Sequence, residues 1–185
     1  MLLIQRIRIE NIVASATLNV SIPLGKLVRI SEGVEYEPEQ FPGVVYRMKD
    51  PKAASLIFSS GKIVCTGTRN PQDLKKAFKK IRRLIVKTGV KIPKNFKVRI
   101  ENIVASTKLD ARLNLDKIAF TLENSEYEPE QFPGLVLRMK NPNVAFLLFS
   151  SGKIVCTGAR KRKDVNIAIE KLINKLKSIG AIVKG

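Results

Sequence analysis

EYEPEQFPG, the stretch Glu35–Gly43, recurs letter for letter at Glu126–Gly134. Two further stretches recur at the same offset of 91 residues: ENIVAS of Glu10–Ser15, and FSSGKIVCTG of Phe58–Gly67. At that offset, 43 of the 82 positions from Arg8 to Gly89 are identical, and no gap is needed. Two copies of this length do not form a solenoid array. The sequence therefore predicts a duplicated half-domain, residues 1–91 and 92–185, joined near Lys87–Asn95 where Gly and Pro interrupt the pattern.

The composition narrows the function to the binding of a polyanion. The chain has 34 Lys and Arg against 16 Asp and Glu, a net charge of +18, which indicates nucleic acid or, less often, an anionic membrane. It contains no histidine, so the commonest general base and metal ligand is absent, and we expect no enzyme, metal or cofactor. No apolar run is long enough to span a membrane. Cys65 and Cys156 lack metal-site spacing, and we expect reduced thiols in a cytoplasmic protein.

Each half is expected to begin with a strand and a short helix. The helix pattern is better in the second copy, LDKIAFTLEN, because Pro23 and Gly25 weaken it in the first. Three strands should follow, with counterparts 91 residues on: Val44–Lys49, Ala54–Ser59 and Lys62–Thr66.

A longer helix is predicted to close each half. The first runs from about Asp73 to Thr88, with Asp73 and its partner Asp164 as N-caps and glycines after the helix ends. Its apolar residues form one stripe, and its basic residues lie off that stripe. The predicted fold class is α+β, in which two pseudo-symmetric repeats form a curved antiparallel sheet, a saddle, with helices on the convex face.

The sheet face away from the helices is unusually apolar. Alternation along the strands places these residues on it: Asn11, Val13, Leu56, Phe58, Val64 and Thr66. An apolar face of this size indicates either a binding surface or a sheet that is covered on both sides.

The repeated acidic stretch contains an aromatic residue in a loop. Pro38 keeps Glu37 extended, and Pro42-Gly43 suits a turn with positive φ at glycine, so Phe41 should lie at the lip of the loop. Phe58 ends its strand nearby, and the duplication supplies a second pair, Phe132 and Phe149. Each loop ring is either a packing anchor or a wedge that inserts into a partner.

Taken together, NIV, EYEPEQFPG and F-SSGK-VCTG, each present twice, resemble the TATA-binding protein family in its short archaeal form. The resemblance implies a general transcription factor that binds and kinks the minor groove of TATA-box promoters. It implies insertion of Phe41, Phe58, Phe132 and Phe149 into DNA. It places Asn11, Val13, Leu56, Val64, Thr66, Asn102, Val104, Leu147, Val155 and Thr157 on the groove floor, and Arg47, Lys62, Arg69, Arg138, Lys153 and Arg160 at phosphates.

The same resemblance implies protein partners. Glu128 and Glu130 would contact transcription factor B, which leads to RNA polymerase and the pre-initiation complex. The free protein could form a homodimer through its apolar face, and the expected location is the archaeal nucleoid in the cytoplasm, or the nucleus for a eukaryotic source. Because the two acidic loops are identical, their sequence cannot set the polarity on DNA.

Two other functions fit part of the pattern. A non-specific architectural protein, or a sheet that binds single-stranded RNA or DNA, would also be basic, although RNA-recognition sheets carry aromatic residues in mid-sheet. A carboxylate-dependent nuclease would need acids that converge on one site, whereas Glu35, Glu37 and Glu39 alternate along a loop.

Overall fold

The computed structural model describes residues 1–184, and the chain forms two compact units. The first unit is Asn11–Glu101, and the second combines Met1–Glu10 with the chain from Asn102 onward. The proposed repeat boundaries, 1–91 and 92–185, stay a prediction.

The first unit contains an antiparallel sheet and two helices. The strands are β1 (Arg8–Thr17), whose first residues belong to the other unit, β2 (Val34–Glu35), β3 (Val44–Lys49), β4 (Lys52–Ile57) and β5 (Lys62–Thr68). Helix α1 (Leu24–Ile30) follows β1, and α2 (Pro71–Val86) follows β5. The strand order is β2-β3-β4-β5-β1.

The second unit repeats this arrangement. Its elements are β6 (Val98–Lys108), whose first residues belong to the first unit, β7 (Arg112–Leu113), α3 (Leu115–Thr121), β8 (Ser125–Glu126), β9 (Leu135–Met139), β10 (Val144–Leu148), β11 (Lys153–Ala159), α4 (Arg162–Ser178) and β12 (Ile182–Val183). The order is β6-β11-β10-β9-β8, and β7 and β12 pair as a separate ribbon. The α+β class, with an antiparallel sheet and helices in two repeats, is confirmed.

Burial of one helix face explains why each sheet has a covered side. In α2 the buried residues are those of the predicted stripe: Leu74, Ala77, Phe78, Ile81, Leu84 and Ile85. On β5, Ile63 and Cys65 are fully buried, while Val64 and Thr66 between them are not. Each fully buried aliphatic or phenyl side chain stabilises the fold by roughly 1.5–3 kcal/mol. This packing fixes which side of the sheet remains for a partner.

The structure corrects the predicted helix starts. Helix α2 is capped by Asn70, whose side chain accepts the N–H of Asp73 at 2.7 Å, so Asp73 is not the N-cap. Asp164 is not the N-cap of α4 either; that position is Lys161, with no side-chain cap.

The first short helix is also better formed than predicted. Both α1 and α3 have seven residues. Pro23 does not interrupt α1, because it stands at the N-cap, and the helix forms although Gly25 lies within it. The strand predicted at Ala54–Ser59 runs instead over Lys52–Ile57.

The two cysteines are free, buried thiols, as predicted. Burial disfavours the charged thiolate and raises the pKa of Cys65 and of Cys156 to about 11. Both thiols are therefore protonated at neutral pH. Among residues 1–184, no helix is long and apolar enough to cross a membrane.

Candidate nucleic-acid interface

The strand alternation separates a buried face from a partly exposed one, as predicted. Along β1, Ile12 and Ala14 are buried, whereas Asn11 and Val13 are partly exposed. The same alternation occurs along β6, where Ile103 and Ala105 are buried.

The partly exposed face of each unit has an apolar floor. Leu56 lies directly across from Val64 in the β4–β5 pair, and Leu147 lies across from Val155 in the β10–β11 pair. Cross-strand neighbours of this kind have Cβ atoms about 4.5–5.5 Å apart, so their side chains form a continuous surface. Val13 adds a third aliphatic side chain to this surface in the first unit, and Val104 does so in the second. Each unit therefore offers three aliphatic residues to a partner with a flat surface.

Asn11 is oriented by an irregularity in the sheet. The pairing of β1 with β5 shifts by one residue, from Ile12↔Thr68 to Ala14↔Cys65, and leaves a bulge at Thr66 and Gly67. The N–H of Gly67 donates to Asn11 Oδ1 at 2.7 Å, and Asn11 Nδ2 donates to Thr66 Oγ1 at 2.9 Å. Because its oxygen accepts from the backbone, the Asn11 side chain offers its remaining N–H as a donor.

The second unit repeats this device. The β6–β11 register shifts between Cys156 and Ala159, and the N–H of Gly158 donates to Asn102 Oδ1 at 2.6 Å. Asn102 Nδ2 donates to Thr157 Oγ1 at 3.1 Å. Each unit therefore presents one oriented amide donor beside its apolar floor.

The two predicted phenylalanine pairs form within their units. The rings of Phe41 and Phe58 are edge to face with centroids 5.7 Å apart, and those of Phe132 and Phe149 are 6.0 Å apart. The loop rings are still accessible: Phe41 is 37% exposed and Phe132 is 44% exposed. A tight turn holds each loop ring, since the N–H of Phe41 donates to the Glu37 carbonyl at 2.9 Å.

The glycine after each loop ring provides space, which corrects the sequence interpretation. Gly43 and Gly134 do not have the positive φ predicted for them. A Cβ on Gly43 would lie 2.9 Å from Phe41 Cε1 and 3.0 Å from Phe58 Cε1. On Gly134 the distance to Phe132 Cε1 would be 2.7 Å. Any side chain here would displace the rings, so glycine is needed for their placement.

The six residues predicted to reach phosphates are all exposed: Arg47, Lys62, Arg69, Arg138, Lys153 and Arg160. Arg47 Nε lies 3.7 Å from Glu35 Oε1, and both side chains are 65% exposed. Such exposed ion pairs contribute about 0–1 kcal/mol, so Arg47 can exchange Glu35 for a phosphate at little cost.

The predicted partner residues lie on the outside of the second acidic loop. Glu128 and Glu130 are both exposed, and the Glu128 carbonyl accepts the N–H groups of Gln131 and Phe132 at 3.0 Å each. Glu128 and Phe132 therefore belong to the same hydrogen-bonded turn.

Comparisons with known proteins decide the family. The family model described as "Transcription factor TFIID (or TATA-binding protein, TBP)" matches twice, at residues 6–88 and 97–179. The chain belongs to the TATA-binding protein family. A TATA-box-binding protein of Methanobrevibacter smithii is 50% identical over 95% of this chain and 97% of its own length. One from Pyrobaculum calidifontis is 49% identical over 95% of this chain and 88% of its own.

A solved structure supports the same assignment. The Methanococcus jannaschii TBP superposes with a TM-score of 0.87 at 42% identity, covering 94% of this chain and 99% of that one. TATA-binding proteins are transcription initiation factors and not enzymes, so the predicted family, its archaeal character and the absence of an enzymatic role are confirmed.

Two features of this TATA-binding-protein fold were missed by sequence reasoning. One is the glycine at the bulge, which is Gly67 in the first repeat and Gly158 in the second. The only sign of it in the sequence was that both repeats have glycine at this position. The other is a pair of hydrogen bonds at 2.7 Å, from Ser15 Oγ to Glu101 Oε1 and from Ser106 Oγ to Glu10 Oε1. The two residues of each bond lie in one unit but are far apart in the sequence, so local patterns could not predict their contact. The only indication was that these residues belong to the repeated ENIVAS stretch.

Proposed function

We propose that this chain binds TATA-box DNA in the minor groove and kinks it as a general transcription initiation factor. The observation that carries the proposal is the accessible phenylalanine pair of each unit, held beside an apolar floor with one oriented amide donor. Family membership supports it, because the relatives are named TATA-box-binding proteins.

The chemistry of the floor favours A·T pairs. The minor-groove edge of an A·T pair presents only acceptors, adenine N3 and thymine O2, whereas G·C adds an amino donor. Asn11 and Asn102 present donors, and the aliphatic side chains around them offer no acceptor for a guanine amino group. A G·C pair at the centre would therefore leave its amino group unpaired against carbon.

Burial of the four rings, together with the phosphate contacts, would drive the kink. Unstacking a base step costs a few kcal/mol. Burying a phenyl ring contributes roughly 1.5–3 kcal/mol, or about 6–12 kcal/mol for Phe41, Phe58, Phe132 and Phe149 together. The free energy gained by burying all four rings, together with the phosphate contacts, can therefore offset the unstacking of two base steps.

The acidic loops supply a surface for protein partners. Glu128 and Glu130 are proposed to contact transcription factor B, through which RNA polymerase and the pre-initiation complex would assemble. Because the loops are identical, polarity on the promoter would come from these partners or from flanking DNA. A homodimer of the free protein through the floor stays a prediction.

The test is the bending of a short duplex that carries a fluorescent label at each end. We expect a duplex containing TATAAA to bend sharply at moderate salt and a GC-rich replacement to remain straight. If both duplexes bind equally and stay straight, the chain is a non-specific architectural or single-strand-binding protein, and the proposal fails.

Salt dependence tests the six phosphate contacts. Each neutralised phosphate releases counterions, so six contacts predict that log K falls with log salt at a slope of roughly −5. Titrations of the TATA duplex at several salt concentrations measure the slope, and the Arg138→Gln variant should reduce its magnitude by about 1. A slope near −1 would contradict the contact list.

A further inference from the structure

The proposed DNA contacts of the two units have the same chemistry. Each of the ten residues assigned to DNA in the first unit has the same residue type 91 positions on, from Asn11 and Asn102 to Arg69 and Arg160. With these contacts alone, the chain would bind a two-fold symmetric box equally well in both orientations. A preference for one orientation must therefore come from residues that differ between the units.

One such difference lies on the floor side of the sheet. Lys108 of β6 lies across from Lys153 of β11, whereas in the first unit Thr17 lies across from Lys62. By strand alternation, Lys108 and Lys153 share their side of the sheet with the floor residue Val155. Both lysines are exposed. The second unit thus carries two adjacent cations at a place where the first unit carries one.

The lysine pair lies next to the phenylalanine pair of the second unit. The N–H of Phe149 donates to the Lys153 carbonyl at 3.0 Å, and Lys108 is on the next strand, about 4.8 Å further. In the proposed complex, the phenylalanine pairs insert at the two ends of the box. The two lysines would then face the phosphates of the flanking DNA and not those at the centre.

The fold gains no stability from a lysine at position 108. Like charges directly opposite each other destabilise an antiparallel strand pair. Thr17 shows that the same strand end accepts an uncharged residue in the other repeat. A phosphate beside the two ammonium groups of Lys108 and Lys153 would form charge-assisted hydrogen bonds and offset their repulsion.

Other charge differences between the repeats do not favour the same flank. Lys52 begins β4 and Lys161 follows β11, so each lies at the end of its strand that is remote from the phenylalanine pair. Asp110, which replaces an asparagine of the first repeat, accepts the N–H of Leu3 at 2.7 Å. Its negative charge would weaken the attraction of this end for phosphate and would not create it.

We propose that Lys108 is a further phosphate contact, which directs the second unit to the flank of the box that has the stronger negative potential. This inference rests on the proposed binding of TATA-box DNA. In natural DNA, a flank with a narrow minor groove has such a potential. One additional exposed charge contact is expected to change the ratio of the two orientations by about two- to fivefold. The chain would then have an orientation preference before any protein partner binds.

The test uses a palindromic duplex centred on TATATATA, in which uncharged methylphosphonates replace the flanking phosphates on one side only. A donor dye at one DNA end and an acceptor on Gln72→Cys, an exposed position of the first unit, distinguish the orientations by single-molecule energy transfer. Cys65 and Cys156 are buried and should stay unlabelled. Contacts common to both units are lost equally in either orientation, so the ratio measures only the residues that differ.

The wild-type chain is expected to place its second unit on the phosphate flank about two to five times more often than its first, and salt should reduce this ratio. Lys108→Thr should bring the ratio to one, and Thr17→Lys/Lys108→Thr should invert it. The control Lys163→Thr removes an exposed lysine of α4 and should keep the wild-type ratio. Threonine suits a strand, and the loss of the like-charge pair should not lower the thermal midpoint of Lys108→Thr.

Three results would overturn the inference while DNA binding stands: a wild-type ratio of one on a duplex that bends, a ratio that survives Lys108→Thr, or an equal loss in Lys163→Thr. The second result would assign the preference to another difference between the units, and the third to net charge. A duplex that stays straight with the wild-type chain would instead contradict the proposed function itself, and this inference with it.

Discussion

The Phe132→Ala/Phe149→Ala variant is expected to leave a TATA duplex straight and to weaken its binding at least about a hundredfold. Each lost ring removes roughly 1.5–3 kcal/mol of burial in the complex, and 1.4 kcal/mol corresponds to a factor of ten. The two rings touch each other and Gly134, so they are expected to act as one wedge. The bend should disappear rather than decrease in proportion, because a step that is not held open restacks.

The fold should survive this change. Phe132 is 44% exposed and Phe149 is partly exposed, so their truncation leaves no closed cavity in the core. Far-ultraviolet circular dichroism and the thermal midpoint of the free protein check this point.

The chain offers a matched control in Phe120→Ala. Phe120 is 95% exposed on helix α3 and belongs to neither phenylalanine pair. Its truncation removes one phenyl ring, half of what the double variant loses, and should change neither bending nor affinity. A wild-type bend in the double variant would show that the rings are packing anchors and would refute the wedge.

Local sequence periodicity predicted most of the interface. Alternation along a strand is a property of adjacent residues, so the choice of Val13, Leu56 and Val64 as the free face required no tertiary information. The closeness of Phe41 and Phe58 followed from a loop and a strand end in a single repeat.

Features that depend on register could not be predicted in this way. The bulge at Gly67 exists because β1 and β5 pair with a one-residue shift, and those strands are far apart in sequence. The orientation of Asn11 follows from that shift. The cavity between helix α2 and residues 94–100 depends on how that segment packs against the helix, and no sequence motif predicts this packing.

The helix caps show a different limit. Asn70 and Asp73 are three residues apart, and asparagine and aspartate are both favoured at the N-cap. Residue type alone therefore does not say which of them begins the helix. Pro71 decides between them, because proline is favoured in the first helical turn, and it places the cap at Asn70.

The Asn11→Asp/Asn102→Asp variant is expected to lose about a hundredfold or more in affinity for the TATA duplex while keeping its fold. Gly67 N–H donates to Asn11 Oδ1 at 2.7 Å, and an aspartate oxygen can accept the same bond, so the bulge is preserved. The donor Nδ2 becomes a carboxylate oxygen facing the adenine N3 and thymine O2 acceptors. Leaving such polar groups unpaired costs about 1–3 kcal/mol at each position, and more for a charged group.

Asn114→Asp is a control for the effect of an added negative charge, with one charge against the two of the double variant. Asn114 caps helix α3, where its side chain accepts the N–H of Lys117 at 3.0 Å, and aspartate caps helices equally well. This control makes the same chemical change away from the floor, so it should bind the TATA duplex almost normally at matched salt. If the double variant also binds normally, the amide donors do not read the groove, and specificity must come from the shape and deformability of the DNA alone. If the double variant binds TATA and GC-rich duplexes equally weakly, the two asparagines are the residues that distinguish them.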